Sequence, residues 1–153
     1  DVRPMGRNTR GVTGMRFKKS GDYIVGAAVA DQEHDILVVS EGGYGKRSKV
    51  DDYRLQTRGG TGVITLKVTE KTGPLLSLKS VTNEDELLIM TTNGVVIRQR
   101  VGAIRETGRV AQGVRLIRLD ENDKVAAVAK ILQEEDSDVE GVVESETVEV
   151  DEE

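Results

Sequence analysis

The chain has 153 residues, no cysteine, 22 Lys plus Arg against 27 Asp plus Glu, and four aromatic residues, Phe17, Tyr23, Tyr44 and Tyr53. A chain of this length buries roughly two-thirds of the surface its unfolded form exposes, so a core needs no cross-links, and a disulfide scaffold is excluded. The longest apolar runs, such as 36–39 and 87–90, fall far short of the roughly 20 residues of a membrane span, and no signal peptide opens the chain; a soluble, cytoplasmic protein without membrane contact is expected. Asp1 in place of an initiator Met points to a piece of something longer.

In chain order, Gly11-Val12 leads into a stretch where Met15 and Phe17 flank Arg16, an alternation that predicts a half-buried strand with the basic residue outside. ILVVSEGGYGKR at 36–47 is an apolar run, a Gly42-Gly43 turn and a second β-prone stretch, which predicts a hairpin. Gly62-Val63 restarts the first pattern after 51 residues, with Leu66 and Val68 around Lys67. LLIMTTNGVVIR at 87–98 restarts the hairpin around Asn93-Gly94, and Gly113-Val114 opens a third copy of the first pattern, with Ile117 and Leu119 around Arg118. Arg3, Arg54 and Arg105 share the interval, as do Arg7, Arg58 and Arg109. The carboxylates Asp51-Asp52 and Glu84 to Glu86 stand in polar linkers and are expected to be solvated turns.

Repeats of this length built from short strands predict an all-β, propeller-like array in which each sheet buries a face against its neighbour. Gly and β-branched residues recur too often for long helices. Three copies of the Gly-Val pattern and two of the hairpin predict an open array of about three four-stranded blades over residues 1–133. From 134 to 153 there are eleven acidic residues and no basic one, so the body carries a formal charge of +6 and the tail −11. Lacking aromatics and periodicity, the tail is expected to be disordered, either a solubilising end or a polyanion competing for the basic body.

An array turns one basic position into a row along a common rim. The candidate DNA-binding residues are Arg3, Arg7, Arg10, Arg16, Lys46, Arg47, Arg54, Arg58, Lys67, Arg98, Arg100, Arg105, Arg109 and Arg118. Such rows suit a phosphate backbone. With no Trp there is no stacking platform for single strands, so duplex DNA held without base readout is the expected partner. His34, the one histidine, has no cysteine to join it in a zinc site or triad and is expected in a loop or at the surface. GGYGKRS looks like a phosphate loop, but Ser40 stands where the first glycine belongs, and a tight turn accounts for the glycines. No catalytic residue, metal ligand or cofactor site is expected in the chain.

VRPMGRNTRGV at 2–12, GGYGKR at 42–47, YRLQTRGGTGVITLKVTE at 53–70 and GRVAQGVRLIRL at 108–119 resemble the C-terminal β-pinwheel repeats of the A subunit of bacterial DNA gyrase, over about residues 2–132. The resemblance implies the last half of a six-bladed domain that wraps duplex DNA on its basic outer rim. It implies assembly with the rest of the gyrase A subunit, together with the B subunit, in an A2B2 complex in the bacterial cytoplasm near the nucleoid. ATP and Mg would be used by other regions of that complex, and the catalytic tyrosine would lie outside this chain. Gln56 to Gly62 reads QTRGGTG where the family's box reads QRRGGKG, so Thr57 and Thr61 mark an internal, degenerate copy. The related subunit of topoisomerase IV, and a protein-binding propeller of another class, are the alternatives; the latter would be expected to repeat Trp or His.

Overall fold

The structure, a computed structural model, describes residues 3–131; the acidic tail expected at 134–153 lies outside the described residues. The elements are β1 (Asp35–Ser40), β2 (Tyr44–Lys49), β3 (Leu75–Val81), β4 (Glu86–Thr91), β5 (Val96–Arg100), β6 (Val114–Arg115) and β7 (Val125–Ile131), with single 3-10 turns at Val50–Asp52 and Val101–Ala103. They form a four-stranded sheet in the order β3-β1-β2-β6 and a three-stranded sheet in the order β5-β4-β7, antiparallel throughout.

The two sheets are one pattern used twice. β1 meets β3 from Asp35 opposite Val81 to Ser40 opposite Leu75, and β4 meets β7 from Glu86 opposite Ile131 to Thr91 opposite Val125. Both ladders shift register at the last pair, Val39/Ser40 in one and Met90/Thr91 in the other. The expected hairpins are β1–β2 and β4–β5. Their partners β3 and β7 come from about 30 to 40 residues downstream, a long-range closure that local patterning does not announce.

β6 belongs to the third Gly-Val copy but pairs with β2, Tyr44 opposite Arg115 and Gly45 opposite Val114. The third copy thus hands a strand back past β4–β5 to the β1–β2 hairpin. Gly113 permits it: its φ is +85°, and a Cβ there would stand 2.5 Å from the Gly45 carbonyl oxygen. Gly11 and Gly62, at the same place in the repeat, also have positive φ.

The array differs from three complete blades. Residues 3–31 contribute no strand pairing beyond the parallel bridge of Met15 with Gly60, where the Arg16 amide donates to the Gly60 carbonyl at 2.9 Å. In this first unit Val12, Met15, Phe17, Tyr23, Ile24 and Val29 are exposed. The expected strands around Lys67 and Arg118 also fall short of a ladder, although Leu66 and Ile117 are buried as expected.

The core lies between the sheets. Leu37, Val39 and Val81 from the first meet Leu87, Ile89, Val125 and Val128 from the second, closed by Val101, Ile104, Leu116 and Ile117. Ile36 and Val38 point the other way, into a smaller cluster with Leu66, so β1 is covered on both faces. Each such side chain contributes about 1.5–3 kcal/mol through burial.

Candidate nucleic-acid interface

The basic column Arg16, Lys67 and Arg118 is exposed in all three units, and none of the three makes an ion pair among the described residues. Arg3, Arg7, Arg10, Arg54, Arg58 and Arg105 are exposed as well. Arg109 is half-buried. Its guanidinium donates to the carbonyls of Asp52, at 3.2 Å, and Ile64, which fastens its loop to the preceding repeat.

Lys46 and Arg47 depart from the rim assignment. Lys46 is fully buried, and its ammonium donates to the carbonyls of Gly108, at 2.7 Å, and Arg109, and to the Ser48 hydroxyl at 3.2 Å. Its counterpart one period on is Ile97, which shows that the position faces inward. Burial pushes the Lys46 pKa down; Asp52 opposes the shift and Arg109 adds to it. Arg47 is 12% exposed, pairs with Asp35 at 3.4 Å, and donates to the Ile104 carbonyl at 2.7 Å and to Asn83. Together with Ser48, whose hydroxyl donates to the Thr107 carbonyl at 2.7 Å, these residues hold the loop 104–109 against β2. They brace that loop from beneath.

Arg98 and Arg100 are exposed but share one carboxylate, Glu86, with Arg98 the closer and Arg100 at 3.7 Å. This also corrects the solvated-turn reading for Asp85 and Glu86, while Glu84 is exposed in a bend as expected. Asp85 and Glu86 are buried, Asp85 accepting from the Thr82 amide at 2.7 Å and pairing with Lys130 at 3.3 Å. A carboxylate that opens a strand opposite two arginines has partners a turn would not supply. Asp51 and Asp52 are exposed, as expected. His34 is half-buried beside β1, its Nδ1 3.0 Å from the Ser80 hydroxyl oxygen. Among the described residues no group of three or more His, Asp or Glu side chains is placed to hold a metal ion.

Charged groups outside the expected set gather at the β1–β2 turn. The Lys71 Nζ lies 5.4 Å and the Arg115 guanidinium carbon 5.7 Å from the centroid of the Tyr44 ring, and Arg115 donates to the Tyr44 hydroxyl at 3.2 Å. The Tyr44 pKa is lowered, first by the Arg115 hydrogen bond, against the effect of burial, with further help from Lys71. No periodicity could have found this set, because it occurs once.

The family described as DNA gyrase C-terminal domain, beta-propeller, matches residues 1–31, 34–82 and 85–131. The chain belongs to that family. The three matches follow the three units. The chain is 46% identical over 152 residues to the DNA gyrase A subunit of Staphylococcus aureus (strain MRSA252), covering 98% of this chain and 17% of that protein. It is 45% identical over 138 residues to the same subunit of Staphylococcus epidermidis (strain ATCC 12228 / FDA PCI 1200), covering 89% and 15%. Among solved structures, a DNA gyrase A C-terminal domain superposes with a TM-score of 0.75 at 33% identity, covering 86% of this chain and 44% of that one. The C-terminal domain of DNA topoisomerase IV gives the same TM-score at 26% identity, covering 85% and 41%. The chain thus spans under a fifth of the curated gyrase subunits, and it does not include the catalytic region of the type II topoisomerase. Among the described residues no helix is long and apolar enough to cross a membrane.

Proposed function

We propose that this gyrase C-terminal segment binds and bends duplex DNA on its repeated basic positions, so that the parent topoisomerase can introduce negative supercoils. The observation that carries the reading is the column Arg16, Lys67 and Arg118, exposed in every unit and without an ion-pair partner among the described residues. Cations repeated along an array match a polymer of evenly spaced phosphates, and their lack of internal ion pairs leaves them able to replace counterions. Backbone contact of this kind carries no sequence information, so binding is expected to follow duplex shape and flexibility.

The exposed apolar groups of residues 3–31 and the open outer edge of β5 are surfaces for the rest of the gyrase A subunit, which would supply a hairpin and a further strand. The B subunit would join in an A2B2 assembly in the bacterial cytoplasm. ATP and Mg would be used by other regions of that assembly. A relaxation experiment tests the reading. Nicked circular DNA sealed by ligase in the presence of the chain should show a shifted linking-number distribution if the duplex is bent around the protein, and an unshifted one if the basic column only neutralises charge.

A further inference from the structure

We propose that Tyr44, Lys71 and Arg115 form a phosphate clamp at the β1–β2 turn, a defined backbone contact within the DNA-binding surface. The proposal rests on the DNA reading above and adds to it a site built from residues outside the basic columns.

Two cations flank one ring with no anion between them. Among the described residues neither Lys71 nor Arg115 has a carboxylate within ion-pair distance, and the nearby Glu41 is taken by Lys124 at 3.5 Å. The Arg115 hydrogen bond first, then Lys71, lower the Tyr44 pKa against the effect of burial. An anion entering here relieves the repulsion between the two cations and gains a charge-assisted bond to a guanidinium already oriented by the tyrosine hydroxyl.

The cations are also held in place through their backbones. The Gly42 amide donates to the Thr72 carbonyl at 2.8 Å, next to Lys71, and the Leu116 amide donates to the Gly43 carbonyl at 2.8 Å, next to Arg115. A Cβ on Gly42 would stand 2.5 Å from the carbonyl oxygens of Lys71 and Thr72, so only glycine lets the turn approach this closely. The ring of Tyr44 is 8% exposed and fixed by that packing. Two cations set around a rigid ring lose less freedom on binding than isolated lysines or arginines do.

The fold does not require the cluster. The second hairpin turns the same corner, with Gly94 at positive φ, yet has Val95 where the first has Tyr44 and Asn122 where it has Lys71. The ligand chemistry is an oxyanion of phosphorus, and the polymer source is the duplex backbone, because the site lies in a chain with an exposed cation lacking an ion pair in every unit.

The test uses the full chain with its tyrosine rings carbon-13 labelled, giving signals from Tyr23, Tyr44 and Tyr53 alone. Titration with duplex DNA should move the Tyr44 signal to a saturating end point, while millimolar inorganic phosphate leaves it nearly in place. The variant Lys71→Gln/Arg115→Gln, both sites being exposed, should keep its β-type circular dichroism. Its plot of log affinity against log salt should be shallower by about 1.8, which is roughly 60-fold weaker binding at about 0.1 M salt when ion release is counted from 1 M. An unmoved Tyr44 signal at saturating DNA overturns the clamp, as does a folded double variant with unchanged affinity and slope, or an equal response to inorganic phosphate alone. If the double variant loses its fold, Lys71→Gln alone is read the same way, with a slope change of about 0.9 expected and an unchanged slope refuting the clamp. Failure of the unaltered chain to bind DNA at low salt is a separate result that overturns the DNA reading itself.

Discussion

Replacing Lys46 by Met keeps the length and volume of the side chain while removing its charge and donors. Two terms compete. The ammonium no longer has to be desolvated, a gain of several kcal/mol for a fully buried ion. Against this, the part-buried carbonyls of Gly108 and Arg109 lose their shared donor while Ser48 keeps its bond to the Thr107 carbonyl, and an acceptor left unpaired away from water costs about 1–3 kcal/mol. Removing one partner of a buried charged contact usually ends in net loss, so a destabilisation of about 2–4 kcal/mol is expected, or a melting temperature lower by roughly 6–16 °C for a domain of this size. The opening should be local first: amide exchange at Thr107, whose N–H donates to the Arg47 carbonyl at 2.9 Å, should rise before exchange in β1 and β4. Thermal melting followed by circular dichroism, together with exchange measured by nuclear magnetic resonance, reads both effects. An unchanged melting temperature accompanied by a shallower salt dependence of DNA binding would refute the reasoning and return Lys46 to the rim.

Other perturbations address the remaining parts of the account. The triple variant Arg16→Glu/Lys67→Glu/Arg118→Glu should keep its fold, since all three groups are exposed, and lose at least about 2.7 from the slope of log DNA affinity against log salt; unfolding would make the column structural. Gly113→Val should prevent β6 from pairing, because it adds a clash with the Gly45 carbonyl to an unfavourable φ; a loss above about 3 kcal/mol is expected in denaturant unfolding, and near-normal stability would contradict the strand hand-back. Burial pushes the Asp123 carboxyl up, but hydrogen bonds from Thr91, Thr92 and the amides of Asn93 and Lys124 outweigh it and hold the pKa below the ordinary aspartate value. A carboxyl lowered in the folded state stabilises above its unfolded pKa and loses that contribution as pH falls through the folded value. Asp123→Asn should therefore be less stable than the unaltered chain near neutrality and approach it in acid; a difference independent of pH would rule out the linkage.

The hairpins were legible because everything that defines them is local: the apolar run of Ile36 to Val39, the glycine turn and the β-prone return lie within a dozen residues. The outward direction of Arg16, Lys67 and Arg118 was legible for the same reason. β3 and β7 were not, since their strand character is set by hairpins about 35 residues away. Lys46 misled the reading because a charged residue in an alternating stretch takes the outer face by default, and only the loop of the next repeat supplies the carbonyls that hold it inside. Asp85 and Glu86 misled it likewise, their partners Lys130, Arg98 and Arg100 being distant in sequence. The Tyr44 cluster needs three segments at once, and no pattern along the chain could show it.

The central claim is that repeated exposed cations bind duplex DNA through its phosphates. The most direct measurement is the affinity of the full chain for two duplexes of unrelated sequence across a range of salt concentrations. If roughly six to eight phosphates are neutralised, both plots of log affinity against log salt should be straight, nearly superimposed, and have slopes of about −5 to −7. Binding that ignores salt, or that prefers one sequence by orders of magnitude, would contradict the account.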